Sequence, residues 1–233
     1  MLYNKILIWG DSLIKGIIFD PAKNRHTTLK ENGVQYAAQK LSLDVVNRSK
    51  FGCTTTHGVS ILHEDLLGGL SGDAALMEFG GNDCDHHWEA IAQDPHAHHQ
   101  PKTPLAKFKQ MLMAMVQMLR QKKITPVLMS IPPIDAQRYF EFFSRNGLNK
   151  NNILHFLGEV EHIYRWQEMY SNAVSALAAA LKCPFINLRE AFLLQPNYKH
   201  FLCDDGIHLN HEGQRLMGDV FIDFFHTAVQ NVS

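Results

Sequence analysis

Apolar and polar positions along this 233-residue chain follow two alternating rhythms. Short runs rich in Ile, Leu, Val and Met recur at Lys5 to Trp9, Leu43 to Asn47, Ala74 to Phe79, Pro126 to Ile131 and Pro184 to Leu188. Each is brief enough for a strand buried on both faces. Between them, Thr27 to Leu41, Leu105 to Lys122, Glu159 to Lys182 and Glu212 to Gln230 carry apolar residues at helical spacing. In the second of these, Phe108, Met111, Leu112, Met115 and Leu119 share one stripe, so its methionines read as core packing. Strands alternating with helices predict an α/β protein with a parallel sheet covered on both faces. No repeat, linker or low-complexity tract divides the chain, which predicts a single domain over residues 1–233.

Two connections exceed what such a sheet requires. Asp83 to Pro104 is polar and holds Trp88 with His86, His87, His96, His98 and His99. Ile131 to Gly158 holds Pro132-Pro133, an aromatic patch (Tyr139, Phe140, Phe142, Phe143) and an Asn146-Gly147 turn. Both leave the carboxyl ends of predicted strands, where long loops tend to carry function.

Composition narrows the class of partner. Hydrophobic residues make up 45% and charged residues 19%, enough apolar material for a large core. A formal net charge of −1 gives no reason to expect nucleic acid or an anionic membrane surface. No apolar run approaches the roughly 20 residues of a membrane span. The first residues lack the pattern of a signal peptide, and cleavage after one would remove Ser12. Cys53, Cys84, Cys183 and Cys203 are widely spaced and contain no CxxC pair, a pattern of reduced thiols. The expectation is a cytoplasmic protein acting on a small molecule, with homo-oligomer formation left open.

Candidate chemistry begins where the first strand ends, at Gly10-Asp11-Ser12-Leu13. Gly, Asp and Ser are ordinary loop and helix-cap residues. They also expose a serine at the carboxyl edge of the sheet, where open α/β folds bind their ligands. Near the other end, Asp205 and His208 stand three apart on a turn, so the carboxylate reaches the ring N–H. Such a pair fixes a histidine tautomer and leaves the other nitrogen to take a proton from a serine. Asn82, after the third strand, supplies an amide for a developing oxyanion. Gly52, after the second, offers a backbone N–H unobstructed by a side chain.

Taken together these blocks resemble the SGNH hydrolases, the subset of GDSL esterases and lipases defined by Ser, Gly, Asn and His blocks. The first block is matched by Gly10-Asp11-Ser12-Leu13 and the second by Gly52. The GxND block is matched by Gly80-Gly81-Asn82-Asp83, and DxxH by Asp205-Gly206-Ile207-His208. The resemblance implies a flavodoxin-like three-layer α/β/α sandwich with a five-stranded parallel sheet in the order 2-1-3-4-5. It implies Ser12 as nucleophile, His208 as base and Asp205 as the acid that orients it. The oxyanion hole it implies consists of the Ser12 and Gly52 N–H groups with the Asn82 side chain. No cofactor and no metal follow from it.

Rival readings lack their motifs. Neither GxGxxG nor GxxxxGK[ST] follows the first strand, and no GxSxG elbow occurs. The histidine-rich stretch contains no HExxH and reads as a solvated loop rather than a metal site. His57 either lines the pocket or belongs to a helix-capping turn. Asp11, Trp88 and Tyr139 are candidate substrate-binding residues, with Phe140, Phe143 and Trp166 near the mouth. Entrance loops broken by Arg138, Glu141, Arg145 and Asn146 favour a short, acetyl-like acyl group on a polar or carbohydrate-like alcohol. The alternatives are a medium- or long-chain ester or thioester, as in lysophospholipases and thioesterases, and a non-catalytic binding module.

Overall fold

A computed structural model describes residues 3–230. The chain begins with β1 (Lys5–Gly10), the single helical turn α1 (Ser12–Lys15) and an antiparallel hairpin of β2 (Ile17–Asp20) and β3 (Arg25–Thr28). There follow α2 (Gly33–Leu41), β4 (Asp44–Asn47), α3 (Thr55–Leu67) and β5 (Ala74–Glu78). Next come α4 (Trp88–Gln93), α5 (Leu105–Gln121), β6 (Thr125–Met129), α6 (Ala136–Ser144) and α7 (Lys150–Leu157). The last elements are α8 (His162–Ala180), β7 (Phe185–Ile186), α9 (Leu188–Leu193) and α10 (His211–Gln230).

The main sheet runs β4-β1-β5-β6-β7, every pair parallel. Counting its own strands, that is the expected order 2-1-3-4-5. Side chains alternate between its faces because the strand period is two. Leu7, Trp9, Ala75, Met77 and Leu128 enter one apolar layer, with residues of α3, α5 and α8. Ile6, Ile8, Leu76, Val127 and Met129 enter the opposite layer, with residues of α2, α9 and α10. Burial on both faces is why these strands read as continuous apolar runs. The three layers of the α/β/α sandwich follow from that.

The stretch Thr27 to Leu41 is not one helix. Thr27 and Thr28 are β-branched and pair with Ile18 and Ile17 across the hairpin. The helix starts only after Asn32, which accepts from the Gln35 N–H while the Gln35 side chain accepts from the Asn32 N–H. That reciprocal cap overrides the helical periodicity upstream. Gly16 permits the turn out of α1 into the hairpin, with φ of 79° and no room for a Cβ against Asn32. The two long connections are also more ordered than loops. They contain α4, α6 and α7, which bury Trp88, Ile91, Phe140, Ile153 and Leu157 with Ile163 in a third small core. The run Pro184 to Leu188 shrinks to a two-residue strand at the sheet edge before α9 begins.

Candidate active site

Four strand ends converge on one cavity. Ser12 is the first residue of α1, directly after β1, and Gly10 before it has no space for a side chain against Ile14 and the Glu78 carbonyl. Asp11 caps the turn by accepting from the Leu13 N–H at 2.9 Å. Ser12 Oγ lies 2.9 Å from His208 Nε2, although the two residues are 196 positions apart. His208 Nδ1 lies 2.6 Å from Asp205 Oδ2. The other Asp205 oxygen accepts from the backbone N–H groups of Ile207 and His208 at 3.1 and 3.0 Å.

Asp205 is fully buried. Burial pushes its carboxyl upward, but hydrogen bonds from His208 and His26 outweigh this and hold it well below the ordinary carboxylate value. An ionised Asp205 only accepts, so His208 carries its proton on Nδ1 and presents a bare Nε2 to the Ser12 hydroxyl.

Asn82 donates one Nδ2 hydrogen to Asp11 Oδ2 at 2.8 Å, leaving the other for a ligand. Gly52 lines the same cavity with φ of 70°, a backbone that suits glycine. Among the described residues no hydrogen bond engages the Ser12 or Gly52 amide. Asp83, beside Asn82, accepts from the Thr55 N–H and hydroxyl at 2.9 and 2.6 Å. It thereby caps α3 from across the sheet, where Thr54 makes no side-chain cap of its own.

The cavity measures about 280 Å³. Its walls include Phe51, Trp88, Tyr139, Phe142, Phe143 and Trp166. Trp88 Nε1–H and the Tyr139 hydroxyl both donate to Asp85 Oδ1, at 2.8 and 3.0 Å, so one carboxylate holds both rings in the cavity wall. Burial pushes the Tyr139 hydroxyl well above its ordinary value, which keeps it neutral.

Several expected residues therefore meet and others do not. Ser12, Gly52, Asn82 and His208 line the cavity together with Asp11, Trp88 and Tyr139, and Asp205 stands directly behind His208. Asp11 accepts from the Leu13 N–H on one carboxylate oxygen and from Asn82 on the other, so it braces the Ser12 turn and the amide from the cavity wall. Phe140 faces away into the small core of the connections, because α6 turns it from Tyr139 and Phe143. His57 is exposed on α3 and does not line the cavity. The polar residues of α6 and its C-cap also face elsewhere: Arg138 donates to the Cys203 carbonyl, Glu141 pairs with Lys150, and the capping Arg145 sits over Phe142. The aromatic connection, interrupted by charge in sequence, thus lines the cavity with Tyr139, Phe142 and Phe143.

His26 and Glu78 escaped the sequence reading. His26 donates to Asp205 and Glu78 lies buried beneath Asp11. The signal for His26 was present as two short β-branched runs, Ile17 to Asp20 and Arg25 to Thr28, about a Pro21 to Asn24 turn. Among the described residues, His26, Asp205 and His208 form the one cluster with metal-ligating atoms, all within 4.8 Å. Both imidazoles touch the same Asp205 oxygen, at 2.6 and 2.9 Å. Ligands about a zinc ion at about 2.0–2.1 Å stand farther apart than that, so this cluster is drawn together by protons. Of the histidines in the Asp83 to Pro104 connection, expected to be solvated, His86 is instead buried, lines the cavity and packs on Trp166 at 4.3 Å, and the others turn elsewhere. His99 contacts the Asp94 carbonyl, His98 contacts Gln100, and His96 packs on His155.

Serine, histidine and carboxylate linked in series at the carboxyl edge of a doubly wound sheet mark a serine hydrolase. Residues 8–216 match the GDSL-like lipase/acylhydrolase family, and the chain belongs to that family of ester-bond hydrolases. Solved structures share the fold. A lipase/acylhydrolase from Enterococcus faecalis has a TM-score of 0.66 at 20% identity, with 97% of this chain and 96% of that one covered. A catalytic mutant of an acetylxylan esterase from Geobacillus stearothermophilus gives 0.65 at 18% identity, covering 95% and 93%. A GDSL-like lipase from Bacteroides thetaiotaomicron gives 0.60 at 16% identity, covering 99% and 89%. No curated protein sequence matches the chain. No helix among the described residues is long and apolar enough to cross a membrane.

Proposed function

We propose that this chain cleaves a small carboxylic ester through an acyl-enzyme on Ser12. The observation that carries the reading is the series Ser12–His208–Asp205, with contacts of 2.9 and 2.6 Å. Ser12 Oγ attacks the acyl carbonyl while its proton passes to His208 Nε2. Asp205 holds the ring and stabilises the imidazolium that forms. The Ser12 and Gly52 amides and the free Asn82 hydrogen receive the oxyanion. Collapse expels the alcohol, which takes the proton from His208. Water activated by the same histidine then releases the acid.

The aromatic chamber receives the acyl group. At about 280 Å³ it is at the lower end of small-molecule sites, too small for a two-chain lipid. An apolar chamber rewards each buried methylene by about 0.8 kcal/mol, or roughly fourfold in kcat/KM. Butyryl esters should therefore exceed acetyl esters by about 15-fold on that arithmetic. A second reading puts the alcohol in the chamber and a short acetyl group outside it. The aromatic walls, Tyr139 and Trp166 among them, favour it because such rings stack on a sugar. The fold shared with an acetylxylan esterase is consistent with it.

The test compares kcat/KM for acetyl, butyryl, octanoyl and palmitoyl esters of one alcohol, with Ser12→Ala as control. A maximum at butyryl or octanoyl supports the acyl chamber, and a maximum at acetyl assigns the chamber to the alcohol. Ser12→Ala should lose several orders of magnitude in rate and all labelling by a fluorophosphonate. Retention of more than a few per cent of the activity would sink the nucleophile assignment.

A further inference from the structure

The β2–β3 hairpin brings a second imidazole to the acid of the site. His26 Nε2 lies 2.9 Å from Asp205 Oδ2, the oxygen that also takes the His208 Nδ1 proton. Since the ionised carboxylate only accepts, His26 presents Nε2–H to it. Together with the Ile207 and His208 amides on Oδ1, Asp205 has two donors on each oxygen.

Packing fixes where His26 stands. Its ring meets Phe19 at 5.4 Å, Phe51 at 5.3 Å and Phe142 at 6.0 Å. The His208 ring is 4.7 Å away. The groups able to carry charge around it are Asp205 and His208 in front, with Arg145 behind the aromatic layer, over Phe19 and Phe142. The side chain is 29% exposed and borders the cavity, so a buried-core role does not account for a polar ring here.

We propose that His26 is a positioning residue for ester cleavage, donating Nε2–H to Asp205 so that its carboxylate keeps one rotamer while His208 gains and loses its proton. The proposal rests on the roles given above to Ser12, His208 and Asp205. A carboxylate held only by His208 and the turn amides would be free to follow the moving proton. A fourth donor removes that freedom and lowers the affinity of Asp205 for the proton, which then stays on the histidine.

Two variants separate this from packing. His26→Phe keeps a ring among Phe19, Phe51 and Phe142 but removes the donor. His26→Gln offers an amide N–H in its place. For His26→Phe, kcat should fall about tenfold with KM little changed, as for loss of a transition-state interaction. The acidic limb of its pH–rate profile should move upward by roughly half a unit to one unit, because Asp205 loses a competing donor. The rate of Ser12 labelling by a fluorophosphonate should fall in parallel. His26→Gln should recover to within about threefold of the parent, as a restored donor predicts. Parent-like rates and profile in His26→Phe would overturn the proposal. Equal losses in both variants with an unmoved profile would overturn it too, leaving only a packing role. A parent protein that neither labels at Ser12 nor cleaves any ester would instead remove the underlying reading, and this proposal with it.

Discussion

Asn82 donates its side-chain N–H to Asp11 Oδ2 at 2.8 Å, across 71 positions of sequence. The other Asp11 oxygen accepts from Leu13 N–H and so fixes the helical turn that carries Ser12. One buried acid thereby sets the serine and the amide relative to each other. Asn82→Ala should lower kcat by roughly 100- to 1,000-fold with a smaller effect on KM. Asp11→Ala should cost both functions at once, with a kcat loss in the same direction and about 1 kcal/mol of stability from the lost cap. Steady-state kinetics with thermal melting checks both. A change confined to KM in Asn82→Ala would make the amide a ground-state binder.

Glu78, at the end of β5, is buried under this pair, and Asp11 N–H points to its Oε2 at 3.4 Å. Burial, reinforced by the neighbouring Asp11, pushes its carboxyl well above the ordinary value of 4.5. The folded chain therefore binds this proton more tightly than the unfolded chain. Its effect on stability is most favourable below the ordinary value and is lost as pH rises above it. Glu78→Gln keeps the shape and removes the titration. It should melt above the parent at pH 8, with the gap closing towards pH 4, by about 2–4 °C for each kcal/mol relieved. Melting curves across that range decide it, and a gap independent of pH would refute the assignment.

Phe143, on α6, lines the chamber, stacked on Trp88 at 4.5 Å and edge-on to Tyr139 at 5.0 Å. Phe143→Ala should lengthen the preferred acyl chain, since removing the ring extends the apolar chamber. It should also destabilise the fold by less than the roughly 3–5 kcal/mol of a fully buried Phe→Ala change, the ring being half-buried. Chain-length profiles of parent and variant test the first effect. An unchanged optimum would place the acyl group elsewhere.

Much of this was written locally in the chain. Strands buried on both faces must be continuously apolar, so Ile6 to Trp9 and Ala74 to Met77 announced a parallel sheet. The blocks around Ser12, Gly52 and Asn82 were legible because each lies within a few residues of a strand end, and that of His208 because it fills the turn into the last helix, where backbone and side chain are fixed by near neighbours. Asp205 and His208 likewise meet within one turn. What local patterns could not carry was any pairing across long separations. The chain has 14 histidines, and nothing near Arg25-His26-Thr27 says which carboxylate that ring will reach. Its partner is 179 positions away and is brought there by the hairpin that Thr27 and Thr28 complete with Ile17 and Ile18. The same holds for the aromatic connection. Its sequence is interrupted by charge, yet the helical turn of α6 sends Arg138 and Glu141 outward and Tyr139 and Phe143 inward. Sequence determined the strands and the reactive groups, because those follow from short-range periodicity and turn chemistry, whereas the strand order came only with the resemblance to the SGNH hydrolases. Tertiary packing alone decided the polarity of the chamber and the second histidine on Asp205, because both depend on which faces are pressed together.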